Sequence, residues 1–201
     1  MLRIAKLEKD ITTVRDYTKR FAFDRGLSSE YYIQWKATFN LDEWKQNIEE
    51  HIVKTTQAIT LEWNKNKNKM WRSSPHPPLL QGLGPIYILE KYWDRLLILV
   101  KQENNLNTTL NYHQYLVKDY SPELLALYIP TLEEYGVHAN GRNDYIDLVK
   151  KMKKIIKDIP EGKKEILQVA KRLKERFSKK PFRPAMIQEL NQMLFSMDIS
   201  K

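Results

Sequence analysis

Apolar residues recur along this chain at three- and four-residue steps, the period of an amphipathic helix. Ile4, Leu7, Ile11 and Val14 open the pattern, and Tyr17 and Phe21 extend it. Gly26 then supplies a C-terminal stop, and Ser29 is positioned to cap a helix carrying Tyr32, Ile33 and Trp35. Asn40 followed three residues later by Glu43 has the form of a capping box, in which each side chain satisfies the other residue's backbone N–H. The helix it predicts is the cleanest of the first half, with Trp44, Ile48, Ile52, Thr55, Ile59 and Leu61 to Trp63 on one side.

The pattern breaks between Asn64 and Pro78. A polar Asn/Lys run is followed there by Ser73-Ser74-Pro75-His76-Pro77-Pro78, which cannot lie inside a helix. Trp71 sits in this stretch beside Arg72 with no helical stripe to join, in a position to anchor the loop or touch a partner. Gly84-Pro85 predicts a restart with proline in the first turn, and Ile86, Leu89, Trp93, Leu96, Leu97 and Val100 stripe the segment that follows. Asn104 to Asn107 end it. A short segment around Tyr112 to Val117 comes next, then Ser121-Pro122-Glu123, a strong helix start. That helix carries Leu124, Tyr128, Leu132 and Tyr135, and its register continues past Pro130, so the proline should kink it rather than end it. Gly136 and Gly141 flank the next turn. The last three predicted helices bear Tyr145 to Ile156, Ile166 to Phe177, and Met186 to Leu194, the second opened by Pro160 and the third by Pro184.

The predicted fold is therefore all-α: about nine or ten antiparallel helices joined by short turns. The helix–turn–helix order recurs every 30 to 40 residues, which is tetratricopeptide-like or α-solenoid-like. The expected organisation is one helical domain over residues 1–201. N-terminal helices cover 1–63, a Pro/Asn-rich loop 64–84, and C-terminal helices 85–201.

Composition narrows the function. At 42% hydrophobic and 11% aromatic, the 201-residue chain can bury a core. It has no cysteine, which removes disulfides, thiolate zinc sites, iron–sulfur clusters and cysteine nucleophiles. Six glycines are few for phosphate loops or dinucleotide folds. No HExxH, GxSxG or Walker motif occurs, and histidines 51, 76, 113 and 138 are far apart. No cofactor or metal is expected. The charged opening residues do not read as a secretory signal, and no apolar run reaches the ~20 residues of a bilayer span. A cytoplasmic setting and no membrane partner are the expectations.

Charge is the one feature that asks for a local explanation. The chain carries +9, yet fourteen bases and only four acids fall between Val149 and Arg183. Lys150, Lys151, Lys153, Lys154 and Lys157 take the sides of one helix left free by its apolar residues. Lys164, Lys171, Arg172, Lys174 and Arg176 do the same on the next, and Lys163, Lys179, Lys180 and Arg183 complete the segment. If the two helices pack antiparallel across Asp158 to Gly162, their basic faces merge into one patch. Such a patch suits a phosphate backbone. The candidate nucleic-acid-binding residues are Lys150, Lys151, Lys154, Lys157, Lys164, Lys171, Arg172, Lys174, Arg176, Lys179, Lys180 and Arg183. The bland alternative is a solvated lysine face. The predominance of lysine speaks against base-specific reading, which favours bidentate arginine.

From Leu124 onward the text resembles the C-terminal helical region of bacterial SWIM zinc-finger proteins. The residues that carry the likeness are Leu124-Leu125-Ala126-Leu127-Tyr128-Ile129-Pro130-Thr131-Leu132-Glu133-Glu134-Tyr135, then Asn143 to Met152. Leu173-Lys174-Glu175-Arg176-Phe177 and Arg183-Pro184-Ala185-Met186-Ile187-Gln188-Glu189-Leu190 close it. The zinc finger itself needs cysteines and does not carry over. The resemblance implies stacked antiparallel helices and a role in interaction or nucleic-acid association.

The function expected is a non-catalytic binding module engaging nucleic acid or a protein partner. The rivals are a purely structural protein–protein scaffold and a small all-α metal-dependent enzyme acting on nucleotides. For the enzyme, Glu133, Glu134, Asp144 and Asp147 are the carboxylates to watch, with His138 and Asn140 as a polar turn beside them.

Overall fold

The computed structural model describes residues 2–66 and 75–198. They form ten α-helices with no β-strand among them. In order these are α1 (Leu2–Leu7), α2 (Ile11–Phe23), α3 (Ser29–Lys36), α4 (Leu41–Asn66) and α5 (Leu79–Glu90). α6 (Trp93–Glu103), α7 (Leu106–His138), α8 (Arg142–Asp158), α9 (Lys163–Phe177) and α10 (Pro184–Asp198) complete the chain. A single 3-10 turn, Pro160–Gly162, joins α8 to α9. Trp71 lies outside the described residues. Contacts group the chain into two compact units, residues 1–99 and 100–201, with the division falling inside α6.

The first unit is built around aromatic rings. Tyr32, Trp35 and Trp44 are almost fully buried, and they meet edge-on, Trp35 against Trp44 at 4.8 Å between centroids. This is the preferred geometry for rings whose faces are negative and edges positive. Glu90, at the end of α5, is drawn into the same cluster. Its carboxylate accepts from Tyr32 Oη, Lys36 Nζ and Trp44 Nε1 at 3.0, 2.8 and 3.1 Å. The Asn40–Glu43 capping box forms as expected, Glu43 N donating to Asn40 Oδ1 at 2.9 Å and Asn40 N to Glu43 Oε2 at 3.3 Å.

Several boundaries differ from the sequence reading: the stripe read from Ile4 to Phe21 is split between α1 and α2 at Lys9 (φ 58°), and the stripe from Ile86 to Val100 between α5 and α6 at Lys91 (φ 58°). α4 runs on to Asn66, and α5 begins at Leu79, so Pro85 lies inside the helix instead of opening it. Leu80 and Leu83 are buried, and that burial recruits the six residues before Pro85 into the helix. The carbonyl that Pro85 leaves without an N–H belongs to Gln81, which is exposed to water.

The second unit is a helical bundle. α7 contains a sharp break at Tyr120 (φ −134°, ψ 31°), where the sequence predicted a new start at Ser121-Pro122. Its two limbs double back on each other. Tyr128 Oη, on the second limb, reaches His113 Nδ1 at 2.9 Å and the Thr109 carbonyl at 3.4 Å on the first. The helix continues through Pro130 as expected. α7 and α10 each pack along both α8 and α9, whereas α8 and α9 touch only sparsely beyond the turn that joins them. The core is Leu124, Tyr128 and Leu132 from α7, Leu148, Met152 and Ile155 from α8, Ile166, Val169 and Leu173 from α9, and Met186, Leu190 and Met193 from α10.

Candidate nucleic-acid interface

The packing order decides what the basic segment can do. α8 and α9 run antiparallel on opposite corners of their bundle, with α7 and α10 between them. Side chains fix this on both walls. On the α7 side, Arg172 of α9 holds Glu133 at 2.7 Å, and Asp147 of α8 accepts from Tyr135 Oη at 2.7 Å. On the α10 side, Arg142 of α8 meets Glu189 at 3.3 Å, and Lys163 of α9 donates to the Met197 carbonyl at 2.9 Å. The outward faces of α8 and α9 therefore point away from one another. The merged patch expected from the sequence does not form, because each helix buries its apolar stripe toward the shared centre and not toward the other helix.

Within α8 the charges are sorted by side. Lys150, Lys153, Lys154 and Lys157 are spaced i, i+3, i+4 and i+7, which puts them on one helical face. All four are exposed, and none is ion-paired with a described residue. They span about 10 Å at 1.5 Å per residue. Lys153 belongs to this face as fully as the three named with it among the candidates. The acids of α8 lie along one edge of this face: Asp144 accepts from the Asn140 N–H at 2.7 Å, Asp147 precedes Lys150 by three residues and bonds Tyr135, and Asp158, exposed and four residues after Lys154, has its Oδ2 3.2 Å from His113 Nε2. Lys151 faces α7, pairs with Asp147 and lies over the Tyr135 ring. Its charge is used internally. The same Asp147 contact, with burial and the field of that carboxylate added, pushes the Tyr135 hydroxyl up to about 12.

The other candidates divide in the same way. On α9, Lys164 and Lys171 are exposed and free of ion pairs, with Glu175 exposed on the same helix, while Lys174 is half-buried. Arg172 is committed to Glu133. Arg176 is exposed and lies 5.8 Å from the Phe177 ring. Arg183 is structural: its Nη1 donates to the carbonyls of Val137 and Ala139 at 3.2 and 2.8 Å, and its guanidinium lies 4.1 Å above Phe177. These are the carbonyls that the end of α7 leaves without intrahelical partners. Lys179 and Lys180 are exposed in the loop that follows α9. Beside them Phe182 is 62% exposed. The helical pattern did not single it out, because it belongs to no stripe; a large apolar residue off any period was the available signal.

Of the four carboxylates considered for metal chemistry, Glu133 is held by Arg172, Asp147 by Tyr135 and Lys151 and Asp144 by the Asn140 N–H, while Glu134 is exposed. Among the described residues no group of three or more His, Asp or Glu side chains is placed to hold a metal ion.

The described residues define an all-α protein, and four exposed lysines share a face of α8. Among the described residues no helix is long and apolar enough to cross a membrane. No family model matches the chain, and no curated protein or solved structure matches it.

Proposed function

We propose that this protein is a non-catalytic helical binding module that engages nucleic acid through the exposed lysine face of α8. Its antiparallel helix pairs would serve as a scaffold in the manner of helical-repeat proteins. The observation that carries the reading is the i, i+3, i+4, i+7 set of Lys150, Lys153, Lys154 and Lys157, solvent-facing and in no ion pair with a described residue. A solvated surface normally intersperses both signs; four ammonium groups within about 10 Å, outnumbering the acids Asp147 and Asp158 at their edge, form a local cationic field. Point charges on flexible stems neutralise phosphates without reading bases.

The test is binding of a labelled oligonucleotide across a salt series. If the four lysines each neutralise a phosphate, the affinity falls with salt with a log–log slope of about −3 for a single strand. Reversing Lys150, Lys153, Lys154 and Lys157 to Glu abolishes both binding and slope. Affinity that survives the four reversals overturns the proposal.

A further inference from the structure

We infer that the loop between α9 and α10 stacks an unpaired base on Phe182, so that the ligand of this protein is single-stranded nucleic acid; the inference rests on the nucleic-acid reading above and narrows it. From Arg176 to Gln188 the chain contains no acid. Arg176, Lys179, Lys180 and Phe182 are all exposed within this stretch, and Phe182 turns 62% of its surface to solvent.

The loop is held so that Phe182 stays outside. Arg183 N donates to the Phe177 carbonyl at 3.1 Å, closing the loop on itself. The Arg183 guanidinium is clamped to the end of α7 and to the face of Phe177. Phe177 is 2% exposed and already fills the core position at this end of the bundle. Phe182 is thus a flat apolar ring displayed among ammonium groups on an anchored support.

A ligand matching that display has a π-face and negative charges beside it. Nucleotides supply both, but in a duplex the base faces are covered by neighbouring pairs, and only an unpaired strand offers them. Base–aromatic stacking of this kind tolerates any sequence, in keeping with cations that read phosphates alone. The loop also lies at the same end of the bundle as the start of α8, where Arg183 reaches Ala139 and Arg142 reaches Glu189. Lys150 follows Arg142 by eight residues, about 12 Å along the helix, a distance that a short strand can bridge. An anionic membrane is the other surface that takes an exposed Phe beside lysines. One inserted ring flanked by Pro181 and bases is a small apolar contribution for that purpose, and the observations favour the strand.

The experiment measures anisotropy of labelled 12-nucleotide oligo-dT and of a 12-base-pair duplex with the full chain, its Phe182→Ala and Phe182→Leu variants, and flotation with phosphatidylserine-containing vesicles. The expected result is tighter binding of oligo-dT than of duplex. Both substitutions weaken oligo-dT binding by about tenfold, an effect of the size found for a lost base stack. Duplex affinity and the salt slope stay unchanged within about twofold. Because Phe182 is exposed, both variants should melt with the parent. Oligo-dT affinity indifferent to Phe182→Ala overturns the inference, as does full retention by Phe182→Leu, which keeps apolar area but lacks a π-face. Phe182-dependent flotation with no effect on oligo-dT overturns it in favour of a membrane. Binding of duplex but not oligo-dT defeats this inference and leaves the α8 reading standing; binding of neither defeats both.

Discussion

Arg183 Nη1 donates to the Ala139 carbonyl at 2.8 Å. That bond takes Arg183 out of the cationic surface and makes it the clasp over the end of α7. Hydrogen bonds from a charged donor to buried carbonyls are among the stronger ones, and the contact with Phe177 adds to them. Arg183→Ala should lower stability by about 2 kcal/mol in urea unfolding. Its own loss of charge should change duplex affinity, which does not use the Phe182 loop, by no more than about twofold at 25 °C, far less than reversal of the α8 lysines. A large affinity loss without a stability loss would return Arg183 to the binding surface.

The exposed lysines of α8 and the pair Lys164 and Lys171 of α9 lie on faces that point apart, so a ligand seated on α8 should not respond to that α9 pair. Lys164→Glu with Lys171→Glu on α9 should leave affinity within about threefold of the parent. Lys150→Glu with Lys154→Glu on α8 should flatten the log–log salt slope by about 1.4, two phosphates at about 0.7 each for a single strand. Equal losses from both pairs would mean that the ligand wraps the bundle.

The sequence carried the local half of this architecture. Asn40 and Glu43 are three residues apart, so their reciprocal cap is a property of one turn and could be read directly. The break before Ser121-Pro122 is likewise a local matter of backbone chemistry. What the pattern could not carry was which helices become neighbours. Lys151 and Lys150 are adjacent in sequence and equal in charge, yet one faces α7 and pairs internally while the other faces water. Arg172 is indistinguishable from Lys171 until Glu133, 39 residues away, is brought beside it. The expectation of one merged basic face failed for that reason: periodicity says which side of a helix is buried, not what it is buried against.

Glu90 is the polar centre of the first unit, and only 6% of its side chain is exposed. Replacing it with alanine strands the Tyr32 hydroxyl and the Trp44 indole N–H among aromatic rings, each unpaired group costing about 1–3 kcal/mol. Lys36 is partly exposed and can be rehydrated. Glu90→Ala should therefore lose about 3 kcal/mol, and Glu90→Gln, which keeps an acceptor oxygen, clearly less. Urea unfolding followed by Trp fluorescence measures both, since Trp35 and Trp44 lie in the affected cluster.

Two histidines predict how stability responds to acid. His51 is held down to about 4 from 6.5 by burial first, with Lys19 and Lys54 adding to it. His113 is also lowered, chiefly by burial; Lys154 pushes in the same direction and Asp158 opposes. In both cases the unfolded chain takes up a proton that the folded chain refuses. Stability is therefore full above about pH 6.5 and falls as the pH drops below it. For His51 the decline levels off below about pH 4. Substituting His51 with Phe, which keeps a ring against Phe23 at the site of the present 4.3 Å contact, should flatten the slope of unfolding free energy between pH 6.5 and 4.5. An unchanged slope would assign the acid sensitivity to other groups.

Gly136 was read as the edge of a turn, but it lies inside α7 and is buried. A Cβ built there comes within 2.5 Å of Leu173 Cδ1 and 3.2 Å of Leu148 Cδ2. Both leucines are themselves enclosed, at 1% and 0% exposure, so neither can swing aside into water. This is the point at which α7 approaches α8 and α9 together, and the missing side chain sets how closely. In an exposed helix Gly→Ala gains about 1 kcal/mol from backbone propensity. Here the gain competes with overpacking, which costs about 1–3 kcal/mol in a filled core, and the net effect of Gly136→Ala should be a loss. Pairing it with Leu173→Ala supplies room for the new methyl group. The double variant should recover part of the stability that the two single losses together predict, a coupling that a double-mutant cycle in urea measures directly. Strict additivity would mean that Gly136 is not held by Leu173 and that the close approach of α7 has another cause.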